Sequence, residues 1–339
     1  MRTVLVFSVL ILVLCTGCPQ TAPEPNNDEP GEATVLLSDP NKPDPYIEPL
    51  VPRVDPPAEG TLPEEVTPSD TAPEKSADVL EEAAGILSEV LNKYAADVVP
   101  LPPIEDLTAQ IDEYITKLEA SLELLDGSPR YASDASDIVR DANALALIAL
   151  AVGLAEADSK YKRSASQIIE AAKILAAAKS LEEGQKAYAA LKASLTGTGR
   201  GKPLAWSDRV ADLTWAMKAL PNLSSAVKRV TNTERKLNVI LDRQAQQVFS
   251  QLAAMAAISQ GTIPNVSETT KSGAVAEWKK HCEEFRDLAI KVNAVTRQYA
   301  QDKTDGKEPD YAIFSASFKA MVESCDDCHK EFYPQAVGK

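Results

Sequence analysis

The chain has 339 residues, with 50 acidic side chains against 35 basic ones and a formal net charge of −15. That balance offers no basic stripe for a phosphate backbone and argues against nucleic acid as a partner.

The N-terminus sets Arg2 before an apolar run from Val4 to Leu14, followed by Cys15-Thr16-Gly17-Cys18. A run this short, with one charge before it and small residues after it, reads as a secretory signal rather than a membrane-spanning helix. Gly17-Cys18 resembles the cleavage site of bacterial lipoproteins, in which the cysteine is lipidated and becomes the new N-terminus. The resemblance departs at Cys15, where a leucine is usual. Residues 1–17 are thus expected to be a signal peptide, with Cys18 as lipid anchor on the periplasmic side of a membrane.

Residues 18–77 hold 14 of the 23 prolines, 13 acidic residues and 3 basic ones. Such a stretch cannot bury enough apolar surface to offset its ordering entropy, and it is expected to be a disordered, acidic, Pro-rich tether. At about 3.1 Å per residue its ceiling is roughly 190 Å. The tether carries −10 and the signal +1 of the total −15, leaving −6 on residues 78–339.

From Ala77 onward the composition turns rich in Ala, Leu, Lys and Glu, and the apolar period becomes helical. Ile86, Val90 and Tyr94 share one face of a first helix. Leu107, Ile111, Tyr114, Ile115, Leu118 and Leu122 form the next stripe. Ile138 to Leu154 is apolar all round, as a central helix would be. Ile168, Ile169, Ala172 and Leu175 follow, then Tyr188, Leu191 and Leu195. Breakers fall between these segments at Pro100, Pro102 and Pro103, at Gly127 with Pro129, and from Gly197 to Pro203. Residues 78–200 are therefore expected to be a helical bundle.

The second half repeats the rhythm. Val210, Leu213, Met217 and Leu220 lead to Pro221, where the helix should kink or restart. Leu237 to Ile258 is one long helix, stopped by Gly261 and Pro264. Val275 to Tyr299 is another, with Gly306 as C-cap candidate. The last helix carries Tyr311, Phe314, Phe318, Met321, Cys325, His329 and Phe332 on one stripe of mixed i+3 and i+4 steps.

Within that stripe, Cys325-Asp326-Asp327-Cys328-His329 forms CxxCH, the pattern of covalent c-type haem attachment. On a helix, positions i and i+3 share a face, so both thiols can reach the two vinyl groups of one haem. His329 can swing its imidazole under the iron as proximal ligand. A bare CxxC also suits a redox dithiol or half of a zinc site. A zinc site lacks its second pair, and a thioredoxin-like dithiol opens a helix in a βαβ unit rather than closing one. Cys282 is left over and reads as a small buried apolar residue, with a reactive thiol as the minority reading.

The second half looks like the cytochrome c′ family, a four-helix bundle with haem attached near the end of its last helix. The matching residues are Cys325, Cys328 and His329 with Phe332 after them, and Trp278 and Phe285 on the preceding helix. The resemblance covers roughly residues 206–334 and departs at Tyr333, where a basic residue is frequent. It implies haem c as cofactor, Trp278 and Phe285 lining it, and Met217 on the first helix of that bundle as a sixth ligand or a plain core methionine. His281 is assigned to a surface edge, and Met255 and Met321 to the core. Family members often form homodimers, for which the extra bundle would compete.

The expected fold is all-α, with two consecutive helical bundles after the tether. Residues 201–339 form the haem-binding bundle, and residues 78–200 form either a haem-less copy or an unrelated Ala-rich bundle. The expected function is a membrane-tethered exported cytochrome that transfers electrons to an unidentified redox partner. The alternative is a five-coordinate haem protein binding nitric oxide or carbon monoxide, and a scaffold role stays open behind it. An enzyme is not expected, because a peroxidase wants a distal His or Arg acid–base pair that the sequence does not clearly offer.

Overall fold

Helix-forming composition and apolar stripes of period 3.6 produce helices throughout the computed structural model, which describes residues 99–125, 131, 135–197 and 201–333. The signal, the tether, Cys18 and the helix expected around Ile86, Val90 and Tyr94 lie outside the described residues. Among the described residues 77 % are helical and no strand occurs, which establishes an all-α fold. None of these helices is long and apolar enough to cross a membrane.

The elements in chain order are α1 (Ile104–Leu124), α2 (Ser136–Leu154), α3 (Ala165–Ala176) and α4 (Leu181–Ser194). They are followed by α5 (Leu213–Thr231), α6 (Glu234–Gly261), a 3-10 turn (Ile263–Glu268), α7 (Val275–Thr304) and α8 (Tyr311–Phe332). Their starts are chemically marked. Ser180, Asp212, Thr233 and Asp310 each accept a backbone N–H from the first turn of the helix that follows, which satisfies donors that helix geometry leaves unpaired. The expected Gly306 cap is present in full. Gly306 has φ +70°, Lys307 N–H donates to Asp302 O at 2.8 Å, and Gly306 N–H donates to Lys303 O at 3.1 Å. This is the Schellman arrangement that ends a helix with a left-handed residue.

One expectation about helix continuity is narrowed and one is corrected. Of the kink or restart expected at Pro221, the restart does not occur, and α5 runs through the proline to Thr231. The long helix α6 is interrupted at Gln244, whose φ of −149° and ψ of 42° are non-helical. Packing decides both: Leu213, Ala216, Ala219, Leu220, Leu223 and Val227 form an unbroken buried stripe across the proline. At Gln244 the two parts of α6 bury different amounts of surface. The N-terminal part buries Leu237 and Leu241, whereas Val248 to Gly261 is buried on all sides.

The two groups of helices share one apolar core. It runs continuously from Leu107 on α1 through Leu147 on α2 and Leu252 on α6 to Met321 on α8. Met255 and Met321 are buried in it, as expected. At its centre the fully buried run of α2 meets the buried part of α6, where a Cβ on Gly261 would sit 2.7 Å from Leu147 Cδ2.

One polar knot crosses this core. Asp106 on α1 is 0 % exposed. Its carboxylate accepts from Gln246 Nε2 at 2.8 Å, from Asn293 Nδ2 at 2.9 Å and from Arg297 Nε at 3.2 Å, with a second, shorter contact to Arg297. The Arg297 guanidinium also lies 4.6 Å from the Phe249 ring centroid. Buried charge is tolerated only when paired and fully hydrogen-bonded, and removal of one partner leaves the rest uncompensated. Asp106→Ala should lower the unfolding free energy on the order of 3 kcal/mol, measured by urea denaturation. A double-mutant cycle with Arg297→Ala should show coupling of about 1 kcal/mol or more. Additive losses would show that the knot is not a unit.

Candidate functional site: a cysteine-bearing apolar cleft

α8 reaches its last two turns with three chemically active side chains in sequence, Cys325, Cys328 and His329. Both ends of α8 are fixed. At its start, Asp310 caps the helix and Tyr311 Oη donates to Thr231 O on α5 at 3.0 Å. At its end, Thr270 Oγ1 donates to Phe332 O at 2.6 Å, and Tyr333 Oη donates to Glu268 O at 3.3 Å. Lys271 and His281 both reach Glu331, at 3.3 Å and 3.0 Å.

Between α5 and the end of α8 lies a cleft. α8 contributes Ser324, Cys325, Cys328 and His329, and α5 contributes Met217 and Leu220. α7 supplies Trp278, His281, Cys282 and Phe285, and Ser259 and Thr262 come from the end of α6 and the residue after it. About 340 Å³ of space in the cleft is free of protein atoms, of which about 30 Å³ admits the centre of a water molecule.

Trp278 anchors one wall. It is 1 % exposed, its indole N–H donates to Thr262 O at 3.2 Å, and its ring meets Phe332 edge-on at 5.2 Å. A buried indole needs such a partner for its N–H. Cys282 lies one turn further along α7. Its carbonyl accepts from Ser259 Oγ at 2.8 Å, and its sulfur is 3.9 Å from Thr262 Oγ1. The expectation that Cys282 is buried holds, and the structure adds that its thiol lines the same cleft as the CxxC pair.

Cys282, Cys325 and Cys328 form no disulfide with one another. Burial, then the neighbouring Cys328 and Asp326, push the Cys325 thiol from 9.0 up to about 12. Burial and Glu331 push Cys328 up to about 12 as well. Cys282 is also raised, by burial first and Cys328 second. A redox dithiol depends on a lowered thiol pKa and an electropositive setting, and this cleft provides the reverse. Among the described residues no three His, Cys, Asp or Glu side chains converge to hold a metal ion.

The residues singled out from sequence are largely brought together. Cys325, Cys328, His329, Trp278, Phe285 and Met217 all border one cleft. His281 is a correction: it is not at a surface edge but half-buried in the cleft wall, with its ring edge-on to Phe332 at 5.8 Å. The signal was present, since 278, 281, 282 and 285 follow the i, i+3, i+4, i+7 pattern of a single face. Tyr333 was read only as a departure, yet its ring lies edge-on to His329 at 6.4 Å. Phe314 and Phe318 pack into the main core, stacked 6.0 Å apart.

No protein-family model, curated protein or solved structure matches the chain.

The thiol environment yields a measurable consequence. Below about pH 9 a free thiol is protonated in both the folded and unfolded chain, whereas between about 9 and 12 only the folded chain keeps the proton. The unfolded state then binds fewer protons, so stability falls as pH rises through that window. With both sulfurs free, alkylation of Cys325 and Cys328 near pH 8 should be on the order of a hundredfold slower in native than in unfolded protein. Equal rates would show that the cleft does not shield them.

Proposed function

We propose that the chain is an exported c-type cytochrome that binds one haem c covalently and transfers single electrons. The observation that carries this reading is the convergence of Cys325, Cys328 and His329 on one apolar cleft, walled by Trp278 and Phe285 and faced by Met217 and Leu220. The donor set suits the group: two thiols one helical turn apart for thioether bonds, and an imidazole on the next residue for the iron. The space is tighter than the donors, so the cleft would widen to take a macrocycle. α5 and α8 are tied by Tyr311 to Thr231 at one end, which favours opening at the other.

Haem, when bound, would supply a one-electron iron couple whose potential depends on axial ligation, hydrogen bonding and burial. The chain's own residues would do the rest. Cys325 and Cys328 would fix the ring to α8, and their protonated state would keep them from premature disulfide exchange. His329 would be the proximal ligand, with its ring orientation restricted by Tyr333. Trp278 and Phe285 would exclude water from the low-dielectric side. Across the cleft, Met217 is half-buried on α5 and would offer a thioether as sixth ligand.

A second reading rests on Leu220, which is buried and lines the same wall. Should Leu220 rather than Met217 face the iron, the sixth position would be open, and the site would bind nitric oxide or carbon monoxide. We propose no enzymatic role. The resemblance to the cytochrome c′ family supports the bundle arrangement, with residues 78–200 either a haem-less copy of that bundle or an unrelated Ala-rich one. The redox partner is a protein that the sequence does not identify.

Co-expression with a c-type maturation system should give a product that keeps haem through denaturing electrophoresis. The Cys325→Ala, Cys328→Ala double variant should lose it, and covalent haem in that variant would remove the central claim. In the same preparation Met217→Ala should convert a low-spin optical spectrum to high-spin and open the iron to carbon monoxide. A wild type that is already high-spin and unchanged by Met217→Ala would favour the gas-binding reading.

The proposed location is the periplasmic side of a membrane, with Cys18 as lipid anchor. Cys18→Ser should shift the protein from the membrane to the soluble exported fraction with the haem spectrum unchanged. A wild type found entirely in the soluble fraction would count against the anchor.

A further inference from the structure

The stretch from Leu213 to Gln251 inverts the charge of the chain, with six basic residues and two acidic ones in a protein of net −15. The fold concentrates that inversion. Where α5 ends and α6 begins, a groove of about 640 Å³ is bordered by Arg229, Arg235, Lys236 and Arg243, and no acidic side chain lines it. All four cations are exposed, and none forms an ion pair with a described residue. The two acids of the stretch are engaged elsewhere: Asp242 takes Lys303 Nζ at 2.7 Å, and Glu234 lies 3.5 Å from Tyr299 Oη on α7.

Simple solvation accounts for part of this pattern only. Arg229 near the C-terminus of α5 complements the helix dipole, as does Lys236, whose Nζ donates to Arg229 O at 3.4 Å, but Arg235 in the first turn of α6 opposes the dipole of its own helix. Val230, Ile240 and Val239 also line the groove, the last 46 % exposed. Positive charge beside apolar lining supplies the ingredients of a docking site for a polypeptide.

We propose that this groove docks an acidic segment of a partner protein. Carboxylates of that segment pair with the three arginines and Lys236, and one or two of its apolar side chains lie on Val230, Val239 and Ile240. Arginine favours this partner because its planar fork matches a carboxylate in two parallel hydrogen bonds. A groove of this volume favours an extended chain segment over a planar lipid surface, which cannot follow its lining. The inference does not depend on haem, since the groove borders the far end of α5 from Met217.

The test uses full-length protein and a fluorescein-labelled synthetic peptide of Glu and Asp with Leu at every fourth position, read by fluorescence anisotropy at about 150 mM salt. A peptide with Gln and Asn in place of Glu and Asp is the control probe. The protein should bind the acidic peptide and not its neutral counterpart. Arg229→Gln, Arg235→Gln, Lys236→Gln and Arg243→Gln together should weaken binding about tenfold or more. A control set with the same net charge (Arg163→Gln, Lys186→Gln, Lys202→Gln and Lys291→Gln) should leave it within about twofold. Equal loss in both sets would reduce the effect to net charge and overturn the proposal, as would absence of peptide binding. Binding of anionic phosphatidylglycerol vesicles without binding of the peptide would overturn it in favour of a lipid surface.

Discussion

A single buried carboxylate ties the first described helix to α6 and α7. Asp106 stands on the first described helix and is held by groups on α6 and α7 that lie 140 to 191 residues away in sequence. An apolar interface can slide by a turn at modest cost, because one leucine resembles another. A charged group with three directional partners cannot, since any shift leaves it unpaired in a low-dielectric interior. The knot therefore sets the register of α7 against both α1 and α6. α7 also bears Trp278, Cys282 and Phe285 in the cleft, about 18 to 28 Å along its axis from Arg297 at the rise of an α-helix. The position of the cleft wall is thus inherited from a polar contact made at the other end of the helix.

Within the cleft, burial governs chemistry. Three sulfurs share one apolar space, and in each the thiol is stabilised over the thiolate, with burial the first cause. Thiol–disulfide exchange proceeds through the thiolate, so this setting slows scrambling among Cys282, Cys325 and Cys328. Accessibility separates them further. Cys282 is buried, whereas the other two are only partly so. The sequence already sets Cys282 apart from the CxxCH pair, and burial in the fold completes that separation.

Much of the architecture was legible because it rests on local rules. The stripes 107–122, 138–154 and 311–332 are helical periods, and each became a helix. Gly306 announced a left-handed cap, and the Schellman hydrogen bonds bear it out. The misses are tertiary. Pro221 breaks helices in isolation, yet the buried stripe from Leu213 to Val227 outweighs the lost hydrogen bond. Nothing in the local composition around Gln244 marks an interruption, because its cause is the different surroundings of the two parts of α6. The common core of the two halves was hidden for the same reason, since periodicity shows that a face is buried but not against what. Of the cleft, the CxxCH residues were readable from spacing, and Trp278, Phe285 and Met217 only through the resemblance to the cytochrome c′ family. His281 was hidden by its polarity, although it shares the apolar face of its neighbours.

The proline in α5 has a mechanical consequence. A helix resists bending through its ladder of i to i−4 hydrogen bonds, and Pro221 has no N–H to give to the carbonyl of Met217. One rung is missing at the residue that faces α8 across the cleft. A rung of this kind contributes about 0.5–1.5 kcal/mol, so the first two turns of α5 form the most compliant wall around the cysteines. The opposite wall is stiff by comparison, because the end of α8 is tied to Thr270, Glu268, Lys271 and His281. Deformation of the cleft under any load is therefore asymmetric: the α5 side yields while the CxxCH side keeps its shape.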